Sequence, residues 1–111
     1  MITVNFRNKE YKITFGEYTN SGNYAIKLRD IEDDQPYIVA TVNLELRDKT
    51  VVAIKNYSEN LGILQSLLKA DLIEYPHIWK PSGFEIIPIC KLTQKSLNAI
   101  EKMFEELHKG G

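Results

Sequence analysis

At 111 residues, 43% hydrophobic and 26% charged, the chain has the size of one domain with one core and the composition of a globular rather than a disordered protein. Fourteen Lys and Arg against fifteen Asp and Glu give a net charge of −1, which argues against a global basic field for sequence-independent DNA binding and against a wholly acidic DNA mimic. The single cysteine, Cys90, has no intramolecular disulfide partner, no apolar run nears the roughly 20 residues that cross a bilayer, and the first residues lack the pattern of a secretory signal, so a reducing cytoplasmic setting without a membrane role is expected.

The first half alternates with period two. Ile2, Val4 and Phe6 fall on one face, then Tyr11, Ile13 and Phe15, then Tyr24, Ile26 and Leu28, which predicts three strands in a meander. Arg7-Asn8-Lys9 and the run Thr19-Asn20-Ser21-Gly22-Asn23 supply the turns, the second being rich in residues that tolerate positive φ. Residues 30–34 and Pro36 make another turn; its Glu32-Asp33-Asp34 lacks the later ligands of a calcium loop and reads as a solvated bend. A fourth strand is expected over residues 37–46 and a fifth over 50–55, so that residues 1–57 are mainly β.

From Ser58 the period changes. Leu61, Leu64 and Leu68, flanked by Ile63 and Leu67, predict a helix over residues 58–70 with Ser58 as its N-cap. Pro76 and Pro81 confine any strand in residues 71–81 to something short or at an edge, and residues 84–92 read as the last strand, with Pro88 pointing to an edge or a bulge. Thr93 then caps a second amphipathic helix over residues 93–108, whose Leu97, Ile100, Phe104 and Leu107 form a narrow stripe. Docking on the sheet is the expected use of that stripe, and a homodimer seam the alternative. The expected fold is a single α+β domain over residues 1–111: an antiparallel sheet of about five to seven strands packed with two amphipathic helices.

No catalytic or metal-binding constellation emerges. His77 and His108 are not at ligand spacing from each other or from Cys90, the glycines form no phosphate-binding fingerprint, and Cys90 lies in an apolar strand as a buried structural thiol would. Neither an enzyme activity nor a cofactor is expected. Gly110-Gly111 shares its diglycine with ubiquitin-like modifiers, but a helix runs almost into it, and a glycine helix stop or a cloning remnant reads more simply.

Two segments carry the residue types of a contact surface. In residues 75–81, Tyr75, Trp79 and Lys80 lie beside Pro76 and Pro81, and a tryptophan between two prolines is hard to bury and pre-ordered for contact. The second combines Asn43 with Tyr57, Glu59 and Asn60: an aromatic, two amides and a carboxylate, suited to a polar ligand if they are not simply caps and strand ends. Ser58 and Asn60 can cap a helix, Asn43 can close a strand end, and Ser82-Gly83 can make a tight turn.

The order Tyr18, Asn20, Gly22, Ala25-Ile26-Lys27-Leu28, then Thr41-Val42-Asn43-Leu44, Tyr57-Ser58-Glu59-Asn60-Leu61-Gly62, and Ser82-Gly83-Phe84 with Pro88-Ile89-Cys90-Lys91-Leu92 resembles an uncharacterised family of small domains encoded on phages, plasmids and integrative elements of Gram-positive bacteria. The resemblance spans roughly residues 11 to 92 and leaves the last helix as an added element. It implies no established activity. With the small size and missing catalytic chemistry, it points to a non-enzymatic protein that occludes or sequesters a host protein, as an anti-defence, anti-CRISPR-like inhibitor would. The alternatives are an oligomeric small-ligand or nucleotide binder, with a pocket from Tyr57, Asn60 and the Trp79 segment, and a nucleic-acid-binding accessory protein that stacks bases on tyrosines.

Overall fold

A computed structural model describes residues 1–32 and 38–109. Residues 33–37, which include Asp33, Asp34 and Pro36 of the acidic turn and Tyr37 of the expected fourth strand, lie outside the described residues, as do Gly110 and Gly111. The chain is α+β, with eight antiparallel strands in two four-stranded sheets and two α-helices among the described residues.

The first sheet contains β1 (Thr3–Phe6), β2 (Lys9–Glu17), β3 (Tyr24–Asp30) and β4 (Ile38–Val39) in that order, the expected meander. Its first hairpin is tighter than the sequence suggested. Arg7 and Asn8, at φ 53° and 64°, form the whole loop, and Lys9 already pairs with Phe6. Positive φ at both loop positions gives a turn whose twist matches that of the flanking strands.

The second sheet has the order β5 (Thr41–Val42), β6 (Val51–Ile54), β8 (Glu85–Lys91), β7 (Ile78–Ser82). The long fourth strand expected over residues 37–46 is therefore two short ones. Ala40 separates them: its amide donates to the Ile26 carbonyl on the first sheet, while its own carbonyl accepts from the Lys55 amide on the second, both at 2.8 Å. One segment thus serves both sheets, so both close on a common core. Val4, Phe6, Ile26 and Leu28 meet Val52, Ile54 and Cys90 there, and a smaller cluster of Leu46, Val51, Ala53, Ile87 and Ile89 fills the far side of the second sheet. All four residues of β6 are buried because it has a core on each face.

The first predicted helix is shorter than expected. Residues Ser58–Asn60 form one 3-10 turn, Gly62 takes a left-handed φ of 98°, and α1 runs only over Ile63–Lys69. Ser58 is not its cap. Asn56 lies in position instead, its Oδ1 accepting from the amides of Gly62 and Leu64 at 3.0 Å each. The apolar spacing matches α1, but the backbone reversal at Gly62 stops the helix from reaching back to Ser58. Ile63, Leu64 and Leu67 enter the main core.

The second helix, α2 (Gln94–Lys109), begins as expected: Thr93 accepts the Ser96 amide on its hydroxyl and donates that hydroxyl to the Asp71 carbonyl. Ile100 is buried in the main core, with Leu97 and Phe104 packed against it and the Phe104 ring 6.2 Å from that of Tyr24. Docking on the sheet uses the stripe as far as Phe104, while Leu107 is exposed. Pro88 is neither at an edge nor in an edge strand. β8 is internal, and Pro88 lies one residue beyond the last β6 pair, Ala53 with Ile89, where no ladder amide is needed. No helix among the described residues is long and apolar enough to cross a membrane.

Candidate functional site

The polar residues singled out in the sequence are held by internal contacts. Asn60 is buried and donates its side-chain amide to the Val39 carbonyl at 2.8 Å, tying the 3-10 turn to the end of the first sheet. Asn43 lies at the mouth of the β2–β3 loop: it accepts from the Ser21 hydroxyl at 2.9 Å and donates to the Asn20 side chain at 2.8 Å. Glu59 receives a 2.6 Å bond from the Lys55 ammonium, which lowers the carboxyl pKa and raises that of the lysine. The same ammonium stands 5.8 Å from the centre of the Tyr57 ring, which packs against the smaller core cluster. The amide nitrogen of Asn60 is committed to the fold, so the 57–60 segment offers a ligand only its aromatic and charged edge.

A residue that sequence reasoning passed over, Asn23, has a similar role. Buried at the end of the β2–β3 loop, it accepts the Leu46 amide and donates to the Asp48 carbonyl, pinning residues 46–48 beside the first sheet. Asp48 in turn accepts from the Thr50 hydroxyl and amide, which hold its carboxyl below the usual range. Only the turn composition around Gly22 hinted at this, because an Asn can serve a loop or a ligand with the same two groups.

Cys90 is fully buried and its thiol is pushed up to about 12 by burial, so it is protonated at neutral pH and shielded from solvent. Among the described residues no three His, Cys, Asp or Glu side chains converge as a metal site would need. An open groove of about 690 Å³ lies beside α1, lined by Leu68, Lys69, Asp71, Ile73, Glu74 and Tyr75 among others. Its charges are of mixed sign and its walls open to water, which suits a solvated cleft more than an enclosed ligand site.

The second group behaves differently. Trp79 and Lys80 lie on the edge strand β7, and Tyr75 in the segment leading into it. Tyr75 is 80% exposed and Trp79 54%, and the structure adds Phe84 at 107%, Ile86 at 64% and Ile78 at 45%. Five of the eight large hydrophobic residues exposed among the described residues thus fall within residues 75–86. Cross-strand pairing sorts them by face: Trp79 opposes Pro88 and Pro81 opposes Ile86 on one side, while Ile78, Lys80 and Ser82 oppose Ile89, Ile87 and Glu85 on the other. The first of these faces is continuous with the core at Pro88 and Cys90, both buried, and loses its cover toward the turn. Gly83, with φ 63°, allows a two-residue turn that sets Phe84 at the tip. In the sequence Phe84 and Ile86 resemble strand interior, because an apolar alternation does not reveal where the covering layer ends. The two-residue turn at Gly83-Phe84, which frees the following side chain, was the available signal.

Comparison with known proteins finds no matching family model, no matching curated protein and no matching solved structure.

Proposed function

We propose that this domain is a non-enzymatic binding protein whose β7–β8 hairpin makes the contact, and that it acts by covering a surface of another protein. One observation carries the reading: five of the eight large hydrophobic side chains exposed among the described residues lie on one hairpin and the segment leading into it. Contiguous exposed apolar area of this kind is characteristic of interaction surfaces, and aromatic residues dominate the energetics of such contacts. Trp79, Phe84 and Tyr75 supply the aromatic anchors, and Lys80 and Glu85 supply polar groups on the opposite face.

That the partner is a host protein, and that covering it serves anti-defence on behalf of a mobile element, is a reading that rests on the sequence resemblance and the small size of the domain. The test is affinity capture from a lysate of a Gram-positive host, run in parallel with the wild type and with Phe84→Ser/Trp79→Ala. One stoichiometric protein held by the wild type and released by the double variant supports the reading. Equal capture by both, or retention of nucleotide or nucleic acid in place of a protein, overturns it.

A further inference from the structure

We infer that the face of the hairpin bearing Trp79, Pro81, Ile86 and the tip residue Phe84 packs against the same face of a second copy of this chain. This rests on the reading of the hairpin as a contact surface and names what covers that surface before another protein does. Two copies meeting about a two-fold axis set a patch against itself, so any charge near the axis faces its own image. The hairpin satisfies that condition on one side only. Trp79, Pro81 and Ile86 form an uncharged face, and the hairpin's charges, Lys80 and Glu85, belong to the opposite one.

The mode of contact is also constrained. β7 is an edge strand, and two edges could join the sheets of two copies through backbone hydrogen bonds. Pro81 has no amide to donate to such a ladder, and Lys80 beside it places a charge on the edge, both of which discourage edge pairing. Face-to-face packing needs neither group. With Phe84 fully exposed, Ile86 about two-thirds and Trp79 about half, the face offers roughly 400–500 Å² of apolar side chain per copy on the usual aromatic and aliphatic areas. Two copies together therefore bury on the order of 1,000 Å², at the lower bound for a specific interface. Such a dimer is weak and exchanges readily, so a partner that binds the hairpin more tightly displaces the second copy and self-association sets the threshold for partner binding.

The purified protein tests this by sedimentation from micromolar to near-millimolar concentration, with emission from its only tryptophan followed on the same samples. The expected result is a monomer–dimer equilibrium whose progress coincides with a blue shift of Trp79 emission. Phe84→Glu, at a fully exposed position, keeps the circular dichroism of the wild type and remains monomeric throughout, while Leu107→Glu on α2 dimerises as the wild type does. A wild type that stays monomeric across the range overturns the inference. So does a dimer that survives Phe84→Glu or dissolves with Leu107→Glu. In the monomeric case, retained capture of a lysate protein through the hairpin leaves the binding reading intact, so the two fail separately.

Discussion

Residues 57–60 and the β7–β8 hairpin carry similar chemistry: an aromatic beside a lysine, with carboxylates and prolines or amides near by. In the first, the fold uses nearly every group: Asn60 bonds the Val39 carbonyl, Glu59 holds Lys55, and Tyr57 packs on the smaller core cluster. In the hairpin, Trp79, Phe84 and Ile86 have no covering layer. The difference is one of position. Asn60 is buried against the end of the first sheet, where an unpaired polar group is costly, whereas the hairpin extends past the last β6 pair, Ala53 with Ile89, that could cover it.

Substitutions sharpen that contrast. The largest effect is expected from Asn60→Ala, which leaves a carbonyl unsatisfied and removes buried volume at a cost of about 1–3 kcal/mol, read as a drop of several degrees or more in thermal unfolding. Asn56→Ala follows at about 1–2 kcal/mol, since one side chain serves two amides at the start of α1. Phe84→Ala is expected to shift stability by no more than about 0.5 kcal/mol in either direction while weakening any contact made by the hairpin. A loss from Phe84→Ala as large as that from Asn60→Ala, in the same melting experiment, would erase the distinction between the two regions.

The smallest effect is electrostatic. The Glu59 and Asp48 carboxyls are lowered by hydrogen bonds, so each contributes stability above its ordinary pKa and loses it as pH falls through the lowered folded-state value. Lys55 has the opposite sign: its raised pKa gives a contribution present below its ordinary 10.5 and lost as pH rises beyond it. All three groups face solvent, so screening keeps the effects slight. Glu59→Gln is expected to flatten the acid limb of melting temperature against pH by a small margin and to leave the hairpin contact unchanged at neutral pH.

The period-two runs through Val4, Ile13 and Ile26 and the helical spacing through Leu64, Leu67 and Ile100 were legible in the sequence. Each is a local repeat imposed by burying one face of a regular element. The cap at Thr93 and the buried Cys90 were legible for the same reason. What the chain order did not contain was the partition into two sheets at Ala40, the reversal at Gly62 that transfers capping to Asn56, and the internal place of β8 with its Pro88. Each depends on which distant strand comes alongside, and sequence periodicity says only that a face must be covered. Whether an Asn such as Asn60 serves the fold or a ligand, and whether an apolar residue such as Phe84 is core or contact, is set by the presence or absence of that covering layer, which only the tertiary structure decides.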